Sequence, residues 1–413
     1  MLVDKQPELR EKPAVAAALT GNIAYFEKAN MQFQKSFSVL AMWSGRNGLL
    51  RYRVKMSATT PHRALIVGST GIVGNNLANR LLADGWSVAG LARKAVAHPQ
   101  GLRPVAADLL KPDSLAAALA GQEFTHVFFS TWMRHDTEAE NIRVNSAMVR
   151  NLLDAVRTSG SVRHVALVTG LKHYLGPFES YGKGNLPDTP FREDEKRLAV
   201  ENFYYAQEDE VFAGGARDGF AWTVHRPHTI IGYAIGNAMN MGVTLAVYAS
   251  LCKHLGRPFL FPGSPQQWNG LTDVTDARLL ASQLAWAATT PAAANRAFNI
   301  VNGDLFRWRW LWPRLASYFG VQAVPYPGSA TPLEAQMKSD AEPWVELVRK
   351  HGLVEPDLGR LVSAWHTDAD LGRPMEVMAD MAHSRRLGFT DYQPTLDSFT
   401  DLFDRLRREK LIP

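Results

Sequence analysis

One stretch restricts this chain more than any other. Arg63-Ala-Leu-Ile-Val67 is a short apolar run bounded by polar residues, and it passes directly into Gly68-Ser-Thr-Gly71-Ile-Val-Gly74. The run reads as a buried parallel strand. From Asn75 to Ala83 apolar residues recur at helical spacing, and Asp84-Gly85 ends the pattern. Strand, glycine turn and helix in this order form the context that a dinucleotide-binding fingerprint requires. The glycines make the turn tight and let the backbone approach a pyrophosphate, while the helix N-terminus offers free N–H groups to the phosphates. The expected contacts are Gly68, Thr70, Gly71, Ile72, Val73 and Gly74. The plainer alternative is a packing turn between strand and helix.

The same alternation continues downstream. Ser87–Ala92, Arg103–Ala107, Thr125–Phe129 and Arg163–Val168 read as further strands, with helices such as 141–156 between them. The fold class is therefore α/β, a Rossmann-type doubly wound parallel sheet with a smaller mixed C-terminal substrate-binding region. Ligands of such sheets lie beyond the C-terminal strand ends. That rule places Asp108 and Leu109, Thr131 and Trp132, and Thr169 at the site. The second strand ends in Arg93-Lys94, where an NAD site carries an acid for the ribose 2′-hydroxyl. Two cations suit a 2′-phosphate instead, so the expected cofactor is NADP(H).

Bulk properties exclude several classes. Residues 1–55 hold nine Lys/Arg against four acids, which accounts for the whole net charge of +5, and the remainder carries 36 of each sign. A neutral body argues against nucleic acid as a partner. Cys252 is the single cysteine, so no intrachain disulfide forms, in keeping with a reducing compartment. The apolar stretch from Met241 to Cys252 falls short of the ~20 residues a membrane span needs. No signal-peptide pattern opens the chain, and acids at 4, 8 and 11 count against a transit segment. The expectation is a soluble, cytoplasmic protein with no membrane partner. Twelve histidines show no metal-ligand spacing, so no metal is expected.

The chemistry needs a proton donor or charge stabiliser near the cofactor. No tyrosine here is followed by Lys four residues later, which removes the usual Tyr-x-x-x-Lys dyad but not a pair drawn from separate segments. Two segments supply candidates: Thr169-Gly-Leu-Lys172-His-Tyr-Leu-Gly-Pro-Phe178 and Asn202-Phe-Tyr-Tyr205-Ala-Gln-Glu208-Asp209. With Leu91-Ala-Arg-Lys94, Thr131-Trp132, His225-Arg-Pro227, Cys252-Lys-His254 and Phe261-Pro-Gly-Ser264, they give the chain a specific resemblance. It resembles the progesterone 5β-reductase and iridoid synthase-like enone reductases (PRISE), an atypical branch of the extended short-chain dehydrogenases. The resemblance runs from about Arg63 to Pro413. It implies reduction of the C=C bond of an α,β-unsaturated carbonyl by NADPH, with Lys172 and Tyr205, the second tyrosine of the pair, as catalytic residues. It also implies substrate walls from Trp132 and Phe178. At a lid position where relatives carry further aromatics, this chain has Ala364-Trp365-His366, so Trp365 and His366 are the expected contacts there.

The expected organisation is a poorly ordered extension at 1–55, an NADP-binding domain at 56–235 and a mainly C-terminal substrate-covering region at 236–413. Asp273-Val-Thr-Asp276 should cap a helix. Trp308, Trp310 and Trp312 should pack their segment on the core. His173 and His225 read as structural, and Glu208 and Asp209 as helix solvation. The expected partner is a small enone or enal, with a homodimer left open. Competing readings are a carbonyl-reducing or sugar-nucleotide-modifying relative, against which the absent dyad counts, and a non-catalytic NADP sensor, against which the retained lysine and tyrosine count.

Overall fold

A computed structural model describes residues 37–42, 51–56, 62–94, 101–177, 180, 187–237 and 239–413. The chain divides into two compact units, residues 1–61 and 62–413. In the first, Phe37–Met42 pairs antiparallel with Arg51–Met56, from Phe37 opposite Met56 to Met42 opposite Arg51. The rest of the expected extension lies outside the described residues.

The second unit is built on seven parallel strands: β1 (Arg63–Val67), β2 (Ser87–Ala92), β3 (Arg103–Ala106), β4 (His126–Phe129), β5 (His164–Val168), β6 (Ala221–Pro227) and β7 (Arg296–Ile300). Their order is β7-β6-β5-β4-β1-β2-β3. The order reverses between β1 and β4, and that is where a doubly wound sheet opens a ligand crevice. The principal helices are α1 (Ile72–Ala83), α2 (Pro112–Leu119), α3 (Glu138–Arg157), the single turn α4 (Lys172–Leu175), α5 (Phe203–Asp218), α6 (Met241–Leu255), α7 (Ala277–Thr289), α8 (Trp308–Phe319), α9 (Ala341–His351), α10 (Ala364–Leu371) and α11 (Thr395–Arg408).

Near-continuous apolar strands demand cover on both faces. Leu77, Leu81, Leu280 and Leu284 of α1 and α7 pack with Ile66 and Phe128 on one face. Leu115, Val149, Leu152 and Val211 of α2, α3 and α5 pack with Leu65, Val127 and Leu167 on the other. Asp276 caps α7 as its sequence suggests, accepting a hydrogen bond from the Arg278 amide at 2.7 Å. Far along the chain, β7 is a full member of the main sheet, paired with β6 from Arg296 opposite Thr223 to Ile300 opposite Pro227. Its partner lies some seventy residues earlier, so local alternation gives no sign of it.

Beyond β6, a second core gathers around α6, whose residues 241–252 are all buried. Trp308, Trp312, Trp344 and Phe399 fill it. Of the three alternating tryptophans, the first and third lie four residues apart on one face of α8 and are buried. Trp310 is 40% exposed, beneath the Arg314 guanidinium at 4.3 Å. An α-helix places i and i+4 together and sends i+2 to the opposite side.

Candidate active site

The glycine turn is built as its spacing requires. Gly68 has φ +84°, a conformation that side chains disfavour. A Cβ on Gly74 would sit 2.3 Å from the Gly68 carbonyl oxygen, so only glycine lets α1 seat against the turn. A Cβ on Gly71 would meet that oxygen at an ordinary 3.4 Å. Gly71 is the N-cap of α1 and provides no side-chain cap. The first N–H groups of α1 therefore stay available to an anion. Ile72 and Val73 are buried, so their side chains hold the helix while their amides face its N-terminus. Thr70 is exposed. Thr131 comes close: a Cβ on Gly68 would lie 2.9 Å from its Cβ, which joins the ends of β1 and β4.

Arg93 and Lys94 are exposed just past β2, and no carboxylate pairs with either among the described residues. Asp108 spends one carboxylate oxygen on the Leu110 amide at 3.0 Å. Leu109 is buried in the core, and its carbonyl accepts from Asn151 at 2.9 Å. Only its backbone N–H is left to serve a ligand. Thr169 continues the sheet through its amide to the His225 carbonyl at 2.8 Å, and its hydroxyl turns to the same oxygen at 3.4 Å.

Lys172 opens α4 directly beyond β5 and is 3% exposed. Its Nζ lies 3.5 Å from Glu138 Oε2 and 4.6 Å above the Phe203 ring. Phe203 stacks on Trp132 at 5.1 Å. Glu138 also accepts from the Phe203 amide through Oε1 at 2.7 Å, so one carboxylate ties the starts of α3 and α5 to the lysine. Asn202 ties them again. Its Oδ1 caps α5 by accepting from the Tyr204 amide at 3.0 Å, and its Nδ2 donates to the Lys172 carbonyl at 2.8 Å. Phe178 lies outside the described residues.

The two adjacent tyrosines have different fates. The Tyr205 hydroxyl donates to the His173 carbonyl at 2.6 Å and accepts from the Leu198 amide at 3.0 Å. Its ring packs beneath the Arg197 guanidinium at 4.9 Å. This geometry does not support a catalytic Tyr205, because both hydrogen-bonding capacities of its hydroxyl are spent on backbone. Tyr204 turns the other way, toward the strand ends. A Cβ on Gly170 would lie 3.5 Å from its hydroxyl oxygen, and the hydroxyl has no hydrogen-bond partner among the described residues. Burial, with the Glu138 charge behind it, pushes the Tyr204 phenol well above its ordinary value, so it keeps its proton at neutral pH. Residues one apart on a helix point about 100° apart, and a sequence alone does not say which of the two faces the site.

The residue four after Tyr204, where the usual lysine would stand, is Glu208. Its Oε2 pairs with Arg197 at 2.7 Å and its Oε1 lies 3.6 Å from Arg226. The positive charge comes from α4 instead.

A family model described as a PRISE-like Rossmann-fold domain matches residues 116–413. The chain belongs to this PRISE-like family. Over 389 residues it is 38% identical to a 3-oxo-Δ4,5-steroid 5β-reductase of Arabidopsis thaliana, covering 90% of this chain and 99% of that one. An (S)-8-oxocitronellyl enol synthase of Nepeta cataria is 37% identical over the same length, with coverages of 90% and 99%. This PRISE-family protein is an oxidoreductase. Among solved structures it is similar to a UDP-glucose 4-epimerase of Thermotoga maritima, with a TM-score of 0.59, 13% identity and coverages of 84% and 99%. A short-chain dehydrogenase/reductase superfamily protein of Agrobacterium tumefaciens, with bound NAD, gives 0.56, 17%, 85% and 98%. At such identities the likeness is one of fold.

At the far side, α10 carries Trp365 and His366. The Arg134 guanidinium, two residues past Trp132, lies 4.5 Å over the Trp365 ring. Behind it runs a buried polar cluster that the sequence did not reveal. His228 sits between Asp273 Oδ1 at 2.8 Å and Arg373 Nη1 at 2.6 Å. Asp370 accepts from the Thr229 hydroxyl at 2.6 Å and pairs with Arg373. These residues are distant in sequence and meet only in the fold. Glu138 and Asn202, by contrast, stand at helix starts, where capping rules single out such types. No helix among the described residues is long and apolar enough to cross a membrane.

Proposed function

We propose that this protein is an NADPH-dependent enone reductase in which Tyr204, rather than Tyr205, and Lys172 stabilise the developing enolate. The observation that carries the reading is the Tyr204 hydroxyl: protonated, without a protein partner among the described residues, and held at the strand ends beside Gly170. A neutral phenol there donates a hydrogen bond to the substrate carbonyl oxygen, and that bond strengthens as the oxygen gains negative charge.

The turn fits a nicotinamide dinucleotide. The uncapped start of α1 and Gly71 would receive the pyrophosphate, since no side chain caps that helix end. Asp108, with one carboxylate oxygen on the Leu110 amide, would offer the other to the adenine edge. Arg93 and Lys94, two cations without a carboxylate partner among the described residues, favour the 2′-phosphate of NADP(H) over a bare ribose. When bound, the reduced nicotinamide supplies a hydride to the substrate's β-carbon. Lys172 contributes a buried positive charge near the accumulating negative charge and is placed to anchor the nicotinamide ribose. Trp132, stacked on Phe203, forms an apolar wall that keeps water from the reacting carbons. A proton then reaches the α-carbon from water or from Tyr204, so one hydride and one proton saturate the double bond. The names of the 38% and 37% identical relatives support reduction of this kind.

The test mixes the protein with NADPH and, separately, 2-cyclohexenone, progesterone and a linear monoterpene dialdehyde, follows NADPH absorbance and identifies the products. Saturated carbonyl products support the proposal. Allylic alcohols refute conjugate addition, and tight NADPH binding without oxidation of any of the three favours a sensor.

A further inference from the structure

The polar cluster under α10 contains an unmet valence. Asp273, His228, Asp370 and Thr229 are paired with one another or with Arg373. His366 is not. Its Nε2 lies 3.7 Å from Asp370 Oδ2, too far for a hydrogen bond. Its Nδ1 is buried and has no hydrogen-bond partner among the described residues, and the same holds for Arg373 Nε. A buried nitrogen without a partner is costly, and fully packed interiors avoid it. The neighbouring Trp365 touches Arg134 from the loop that carries Trp132, which places this end of α10 over the C-terminal strand ends.

We propose that His366 Nδ1 is a specificity subsite for a hydroxyl group carried by the substrate away from its enone. This rests on the enone-reductase reading, which assigns the carbonyl oxygen to Tyr204. Three ligand chemistries differ here. An apolar end leaves Nδ1 orphaned and gains nothing from it. A carboxylate brings a second negative charge toward buried Asp370, whose charge is already matched by Arg373. Burial, reinforced by Arg373, Arg134 and His228 against the opposing pull of Asp370, holds the His366 imidazole neutral. A neutral ring nitrogen is a donor in one tautomer and an acceptor in the other. A hydroxyl satisfies either, whereas a carbonyl satisfies only one. A site built to hydrogen-bond a substrate hydroxyl rejects the analogue that lacks it far more strongly than an apolar pocket rejects an added group.

The probes are straight-chain (E)-2-alkenals of increasing length, each as the methyl-ended, ω-hydroxy and ω-carboxylate compound. The expected result is a kcat/KM at least about tenfold higher for the ω-hydroxy compound than for its methyl-ended partner at one chain length. His366→Phe should abolish or reverse that ratio, His366→Gln should keep part of it, and Tyr204→Phe should lower both members alike. A ratio near one at every length, a ratio untouched by His366→Phe, or a preference for the carboxylate overturns the subsite. Calorimetric binding of 1,8-octanediol against 1-octanol to the NADP⁺-loaded protein needs no turnover. If no enal is reduced, the enone reading fails, and the subsite still stands or falls on whether wild type prefers the diol and His366→Phe loses that preference.

Discussion

Exchanging either adjacent tyrosine for phenylalanine removes one oxygen, yet the two variants should fail in different ways. In Tyr204→Phe the lost hydroxyl has no protein partner among the described residues, so no protein hydrogen bond is broken and folding should be nearly unaffected. What disappears is the donor to the enolate oxygen. Loss of one such donor typically lowers kcat by about 10²–10³, or about 3–4 kcal/mol of transition-state stabilisation. In Tyr205→Phe the lost hydroxyl leaves the His173 carbonyl and the Leu198 amide without it. An orphaned buried polar group costs about 1–3 kcal/mol, so the loss should appear as reduced stability of α4 against α5. The assay pairs NADPH oxidation with 2-cyclohexenone and denaturant unfolding of both variants. Tyr204→Phe should be stable and slow, and Tyr205→Phe destabilised while keeping most of its kcat. A stable but inactive Tyr205→Phe, beside an active Tyr204→Phe, would refute the choice of Tyr204.

Four further outcomes follow from the geometry. Gly74→Ala drives a methyl to 2.3 Å from the Gly68 oxygen and should cost about 1–3 kcal/mol of stability, whereas Gly71→Ala should fold normally and weaken NADPH binding in a fluorescence titration. Arg93→Glu with Lys94→Glu should raise the NADPH Kd at least about tenfold, which is about 1.4 kcal/mol, with a smaller effect on NADH. Asn202→Ser keeps the cap on α5 but lets go of the Lys172 carbonyl, so kcat should fall with KM little changed, and the fall should vanish in a Tyr204→Phe background if the side chain acts by aligning the two residues. Burial holds His126 and His225 at about 4 and His164 at about 3, below the ordinary 6.5. The unfolded chain then binds more protons between about pH 6.5 and 4, and stability should drop as pH falls through that window. Glu193, raised to about 7, acts oppositely, losing stability as pH rises from 4.5 toward 7. Three imidazoles outweigh one carboxyl, so chemical denaturation midpoints should decline on acidification.

The fold was readable where the signal is local. The apolar run at Arg63–Val67, the Gly68–Gly74 spacing and the Asp276 cap each report on a few neighbouring residues, and each lies where its pattern placed it. The assignment of β7 to the main sheet was not readable, because its evidence is pairing with β6. The candidate site divides in the same way. Lys172 follows from its place just past β5. The choice between Tyr204 and Tyr205 depends on the rotation of α5, which Asn202 and Glu138 fix through contacts with α4 and α3. The polar cluster around His228 joins residues from 228 to 373 and leaves no trace in any local window.

Conjugate delivery of hydride to a carbon–carbon double bond can be followed by turning over 2-cyclohexenone with NADPH deuterated at both C4 positions and locating the label by NMR and mass spectrometry. The expected product is cyclohexanone with one deuterium on the β-carbon, formed far more slowly by Tyr204→Phe. Deuterium on the carbinol carbon of 2-cyclohexenol, or product without label, would contradict conjugate delivery.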